Sequence, residues 1–228
     1  MSLIGLIVPT IVAWVFCLGL TPVVRSIAVR WKLCDKQNGR GSRDIAHIGG
    51  VAMIGAVIFA LIPAILFTVP AGPLHRAFLP VLIGSGFLTF LLGIIDDLRS
   101  LHYIYKLFFQ IAVSVFVAAA GVPLLMHVGL VDLPAGHAIA AGGAAALWML
   151  AITTSFNLID GIDGLAAGFA LIASIAFAVA GLLFGSDEVA VLAFIVAGTT
   201  LAFLRYNFPP ARILSLIHIS EPTRLRRI

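Results

Sequence analysis

The chain has 228 residues, 61% of them hydrophobic and 11% charged, with a formal net charge of +4. Soluble domains carry about 25% charged residues, so the composition excludes an ordinary soluble domain and points to lipid. The basic residues form no stripe interleaved with aromatics, so no nucleic-acid partner is expected.

A helix crossing the roughly 30 Å hydrocarbon core needs about 20 mostly apolar residues. Seven runs come near that length, and they predict an all-α, polytopic bundle of transmembrane helices. The first, Leu3–Val24, has no basic stretch before it and no small-residue cleavage site after it, which argues for a retained span rather than a signal peptide. Arg25, Arg30, Lys32, Lys36, Arg40 and Arg43 follow it. The second run, Ile48–Val69, and the third, Ala77–Ile95, are separated by a loop with Arg76. Arg99 and Lys106 lie around the start of the fourth, Ile104–Ala120, which is short. Asp132 precedes the fifth, His137–Ser155, and Asp187 and Glu188 lie between the sixth, Leu165–Phe184, and the seventh, Val189–Leu204. Arg205 and Arg212 close the series. Lys and Arg gather after the first, third and seventh runs, so the positive-inside bias puts the N-terminus outside and those loops in the cytoplasm. Cys17 and Cys34 would sit at different depths, so neither a disulfide nor a cysteine metal site is expected. No repeat, low-complexity tract or second domain is evident.

Ionisable residues at membrane depth are costly and tend to be functional. Here they form two groups, both on the predicted cytoplasmic side. The first is Gly93-Ile-Ile-Asp96-Asp97, followed by Lys106 and Gln110. Adjacent carboxylates repel unless solvated or bridged by a cation, and hard divalent ions such as Mg²⁺ prefer oxygen ligands. Lys106 and Gln110 are four apart and share a helix face, which would point into a polar cavity. A solvated loop with Lys106 snorkelling to the interface is the plainer alternative. The second group is Asn157-Leu-Ile-Asp160-Gly161-Ile-Asp163-Gly164. Its glycines suggest a bend that admits close approach of a ligand, and the start of the following span offers free amides to phosphate oxygens. A simple Asp-Gly turn would need less than this. An acidic channel vestibule is the competing class, but the middle of each run is bare of charge, which favours chemistry at the interface.

Residues 214–228 break the pattern. The stretch Leu214–Arg224 resembles a translated sequencing adapter, so the native sequence is expected to run from residue 1 to 213 and then continue differently. The alternative is a basic amphipathic tail.

Gly93-x-x-Asp96-Asp97 with Leu101, Lys106 and Gln110, and Asn157-x-x-Asp160-Gly-x-Asp163-Gly-Leu-Ala166, resemble signatures of the polyprenyl-phosphate N-acetylhexosamine-1-phosphate transferases. This is glycosyltransferase family 4, which includes phospho-MurNAc-pentapeptide translocase and the transferases that start O-antigen and teichoic-acid linkage synthesis. The stretch Phe203-Leu-Arg-Tyr-Asn207-Phe-Pro-Pro-Ala211 resembles the family's segment after this span, and Asp35-Lys36, Arg40 and Gly49-Gly50 resemble its first cytoplasmic loop. The loop departs from the pattern: Arg43 stands where the family usually has His, the spaced prolines are absent, and His47 is nearby.

The resemblance implies about ten spans in the intact protein, of which about seven are present. It implies transfer of a sugar-1-phosphate from a UDP-sugar to undecaprenyl or another polyprenyl phosphate in the bacterial plasma membrane, with release of UMP and with Mg²⁺, or Mn²⁺ in its place. Asp96, Asp97, Asp160 and Asp163 are the implied catalytic residues, and Asp160 and Asp163 the implied metal ligands. Asn157, Lys106, Arg40, Lys36 and Asn207 are the implied substrate contacts. A further metal-binding Asp is expected in a Gly-Asp-x-Gly-Ser segment after Ala211, which this chain lacks, so the chain as it stands is expected to be inactive. The sugar, the pathway and a homodimer stay open.

Overall fold

In lipid, a segment that crosses the bilayer must satisfy its own backbone N–H and C=O groups, which leaves the helix as the form for these apolar runs. The computed structural model describes residues 3–31, 34–36, 44–46, 49–68, 73–99, 101–127, 132, 134–160 and 162–209. All seven predicted runs are helices: α1 (Leu3–Arg30), α2 (Gly49–Thr68), α3 (Pro73–Arg99), α4 (Tyr103–His127), α5 (Ala135–Ile159), α6 (Leu165–Leu183) and α7 (Asp187–Asn207). Six are long and apolar enough to cross a membrane, and α3 carries a shorter apolar stretch at Ile83–Asp96. The chain is a multi-pass membrane protein.

Most helices overrun the apolar stretches that announced them. Counting apolar residues stops at the first charge, whereas helical hydrogen bonding continues through it. Asp96 and Asp97 therefore lie in the last turn of α3, not in a loop beyond it, and Asn157 lies inside α5. The first loop adds two short strands to the all-α expectation, β1 (Cys34–Lys36) and β2 (Asp44–Ala46), paired antiparallel with Asp35 opposite Ile45. Three-residue strands with no apolar alternation leave no period-two signal. Arg40, Arg43, His47 and the predicted tail 214–228 lie outside the described residues.

Small residues set the packing. In lipid there is little hydrophobic drive between helices, so close backbone approach matters more. On α1 the buried residues Pro9, Ala13, Cys17, Thr21, Val24 and Ala28 recur every three or four positions. On α2, Ala52, Ala56, Ala60 and Ala64 form a matching buried stripe. α1 packs on α2 and α7, and α6 packs on α7; α3, α4 and α5 form a second group that touches the first sparsely. α1 and α7 run parallel: Gly198 meets Thr10, and the Tyr206 hydroxyl donates to the Leu18 carbonyl at 3.0 Å. A Cβ at Gly198 would lie 2.7 Å from the Thr10 carbonyl oxygen, a backbone atom that cannot swing aside. Gly198→Leu is expected to destabilise the bundle by about 1–3 kcal/mol or more. A fall in melting temperature in detergent checks this, and an unchanged value would refute the close contact.

Candidate active site

With alternating helix directions, the ends of α1, α3, α5 and α7 and the starts of α2, α4 and α6 share one end of the bundle. Both acidic groups lie there.

Asp96 is buried, 7% exposed, at the end of α3. Its Oδ1 accepts the backbone N–H of Leu101 at 3.0 Å, and its Oδ2 pairs with Lys106 Nζ at 2.6 Å. Leu101 lies in the short connection between α3 and α4, and Lys106 stands in the first turn of α4. One carboxylate thus staples the turn and holds a lysine in place. The sequence proposed Lys106 and Asp96 as neighbours in function; the structure joins them directly. Asp97 occupies the same last turn of α3.

Asp160 caps the C-terminus of α5 with a helical backbone, and its N–H bonds the Phe156 carbonyl. It is 8% exposed, and its Oδ2 has no hydrogen-bond partner among the described residues. Burial pushes its carboxyl up to about 7, because an ionised oxygen is poorly solvated there. Asp163 is half-buried in the following turn. That turn closes at Gly164, which takes φ +75 at the N-cap of α6, a conformation that disfavours any side chain. Its N–H donates to Asn207 Oδ1 at 3.0 Å. Asn207 is 4% exposed at the end of α7, so α7 holds the aspartate-bearing turn from below. Asn207, which the resemblance implies as a substrate contact, is buried and accepts the Gly164 N–H. Asn207→Ala is expected to leave the Gly164 amide unpaired, at about 1–3 kcal/mol, and to speed its hydrogen exchange at least about tenfold. Asn207→Asp keeps the acceptor and should keep the protection.

Two cavities open at this end. The larger, about 430 Å³, lies among α2, α3, α4 and α5 and is lined by Asp96, Lys106 and Gln110. The smaller, about 250 Å³, lies among α2, α5, α6 and α7 and reaches Asp160. Thr153 and Asn157 of α5 line both. The Asp96–Lys106 and Asp160 groups are therefore adjacent compartments on either side of one helix. Lys36 falls in β1 of the first loop, whose strand β2 touches α1.

The donor set suits a hard cation. Asp160 presents a buried, unpartnered carboxylate oxygen, the type of ligand Mg²⁺ prefers. Asp163 is three residues away. Among the described residues, however, no three His, Cys, Asp or Glu side chains gather closely enough to complete a metal site. The fit is thus partial, and more ligands are needed than these two carboxylates.

Sequence reasoning missed the uncharged polar lining of the larger cavity: Ser85 and Thr89 of α3, Ser114 of α4 and Thr153 of α5. The signal was present. Lys106, Gln110 and Ser114 repeat every four residues, as do Ser85 and Thr89, and Thr153 and Asn157. The spans are bare of charge there, so only this spacing of uncharged polar residues marks the lining.

A family described as Glycosyl transferase family 4 matches residues 79–215. A probable undecaprenyl-phosphate N-acetylglucosaminyl 1-phosphate transferase of Bacillus subtilis is 30% identical over 223 residues, 92% of this chain and 58% of that protein. A phospho-N-acetylmuramoyl-pentapeptide-transferase of Moorella thermoacetica is 31% identical over 220 residues, 90% of this chain and 68% of that protein. A decaprenyl-phosphate N-acetylglucosaminephosphotransferase of Mycolicibacterium smegmatis is 33% identical over 183 residues, 73% of this chain and 44% of that protein. The chain thus spans between about two fifths and two thirds of the length of these relatives.

Proposed function

The chain belongs to glycosyl transferase family 4, and from that premise we propose that residues 1–213 form part of an enzyme that moves a sugar-1-phosphate, an N-acetylhexosamine-1-phosphate, from a UDP-sugar to a polyprenyl phosphate. The observation that carries this reading is Asn157. It lines both the cavity that holds Asp96 and Lys106 and the cavity that holds Asp160. Two phosphate-bearing reactants, one in each compartment, would meet at this wall.

The chemistry is a displacement at phosphorus. An oxygen of the acceptor phosphate forms a bond to the phosphorus that carries the sugar. The bond from that phosphorus to the bridging oxygen breaks, and UMP leaves with that oxygen. A phosphate monoester has its second pKa near 6 and is mostly dianionic at pH 7, so it attacks without a strong base. The obstacle is repulsion between two anions, and phosphoryl transfer is mainly positioning and charge neutralisation. Lys106, steadied by Asp96, supplies one positive charge at the mouth of the larger cavity. A divalent cation, Mg²⁺ or Mn²⁺, held by Asp160, Asp163 and further ligands, would supply Lewis-acid neutralisation of the pyrophosphate. Asn157 orients, and the family resemblance assigns substrate contacts to Arg40 and Lys36 and a catalytic role to Asp97. The bias of Lys and Arg supports a cytoplasmic position for this end, where a nucleotide sugar is available.

The test is UMP release by membranes bearing the intact reading frame, given UDP-N-acetylglucosamine, undecaprenyl phosphate and Mg²⁺. Stoichiometric UMP and lipid-linked sugar phosphate support the reading. Transmembrane flux of solute without UMP formation would replace it with a transporter.

A further inference from the structure

Pro22 stands inside α1, with helix on both sides of it. Proline has no N–H, so the carbonyl four residues earlier loses its usual donor. That carbonyl belongs to Leu18. In lipid an open carbonyl is costly, and a proline is tolerated where hydroxyls or neighbouring helices serve the freed groups. Both devices are present here. The Thr21 hydroxyl donates to the Cys17 carbonyl at 2.6 Å, and the Tyr206 hydroxyl of α7 donates to the Leu18 carbonyl at 3.0 Å. Cys17 and Thr21 are fully buried, so bulk water does not reach that side of the break.

Tyr206 is followed by Asn207, whose Oδ1 accepts the Gly164 N–H in the turn after Asp163. Successive helical residues point about 100° apart, so the last turn of α7 grips two different neighbours. Through Tyr206 it holds α1 at the prolyl break. Through Asn207 it holds the acidic turn. The space between the two grips is packed. Leu18 and Leu204 rest on a buried cluster that includes Cys17, Ala167 and Phe203. Ala167 and Phe203 also line the cavity that reaches Asp160. Beyond Pro22, α1 runs on to Arg30 and leads to the first loop, where Lys36 ends β1 and β2 touches α1.

We infer that Tyr206 is a positioning residue: by closing the prolyl break in α1, it fixes where the first loop stands against the turn that carries Asp160 and Asp163. The inference rests on the transferase reading and adds to it the joint that keeps the basic loop and the acidic turn in register. Proline is a principal site of helix kinks, so α1 without this bond can swing its loop-bearing end. A misplacement of about 1 Å can cost about 10²-fold in rate. An interfacial tyrosine ordinarily keeps its hydroxyl on the wet side. This one turns it to a backbone carbonyl of another helix.

A double-mutant cycle in the intact reading frame, reconstituted in phosphatidylcholine nanodiscs, tests this. Tyr206→Phe removes the hydroxyl and keeps the ring. Pro22→Ala returns an N–H to α1, so the Leu18 carbonyl regains a donor within its own helix. Rates are measured well below the melting temperature, at saturating UDP-N-acetylglucosamine and undecaprenyl phosphate. Tyr206→Phe alone should lower kcat for UMP release at least about tenfold. In the Pro22→Ala background the same change should lower kcat less than about twofold, because the two residues act on one carbonyl. Equal losses in the two backgrounds overturn the inference, since Tyr206 would then act elsewhere than at the break. A lower melting temperature with unchanged kcat also overturns it, since the hydroxyl would then serve stability alone. Either result leaves the transferase reading standing. A parent that releases no UMP takes that reading down, and this inference with it.

Discussion

Asp160→Asn is expected to lower UMP release by the intact reading frame by at least about 10²- to 10³-fold, the usual consequence of losing one well-placed electrostatic group, while leaving the bundle as stable as before or more so. The two effects separate because Asp160 is poorly served by its own fold. Its Oδ2 is buried without a partner, and burial has pushed its carboxyl up to about 7. The sign follows by linkage. Between the ordinary carboxylate value, near 4, and about 7, the folded chain binds a proton that the unfolded chain has released. Stability without divalent cation should therefore be full below about pH 4, fall as pH rises towards 7, and level off above it. The slope is at most about 1.4 kcal/mol per pH unit. In Asp160→Asn this fall should vanish, so the variant should be the more stable protein at pH 8 and equal at pH 4. Thermal melts in EDTA across pH 4–8 check it, and Mg²⁺ should raise the melting temperature of the parent at pH 8 more than that of the variant. Full turnover in Asp160→Asn would remove it from the site. A carboxylate kept at a stability cost is what a functional residue looks like.

How much of this could be read from residues alone differs from one element to the next. The helices were legible because lipid permits so little else, and each run announced itself by length. Asn157, Asp160 and Asp163 were legible as a group because they are close in sequence. Their attachment to Asn207 was not, since 43 residues separate Gly164 from Asn207 and only the packing of α6 on α7 brings them together. The same holds for the shared wall at Asn157, which depends on how two sparsely touching groups of helices meet. The ion pair of Asp96 with Lys106 sits between: ten residues apart and across a tight turn, it was suggested by proximity, but its geometry required α3 to continue through Asp96. The strands β1 and β2 were invisible because three-residue pairs of mixed polarity carry no pattern.

Lys106→Met should show the opposite balance to Asp160→Asn. Removing the lysine leaves Asp96 Oδ2, in a residue only 7% exposed, with its negative charge and no cation at 2.6 Å. Deleting one member of a buried pair costs about 3–5 kcal/mol; with the Lys106 side chain 30% exposed, water can reach the site, so a loss of about 1–3 kcal/mol is expected. On the proposed reading, turnover in the intact reading frame should fall at least about 10²-fold, because the lysine assigned to neutralise phosphate charge is lost. Combining Lys106→Met with Asp96→Asn removes the orphaned charge while keeping an oxygen to accept the Leu101 N–H. The double variant should recover most of the lost stability and none of the lost turnover. Thermal melts and UMP release across the four members of this cycle, made in the intact reading frame, measure both quantities on the same proteins. Recovery of turnover along with stability would mean that the pair only holds the α3–α4 turn. Recovery of stability alone would mean that the fold carries the pair for the sake of the phosphate it faces.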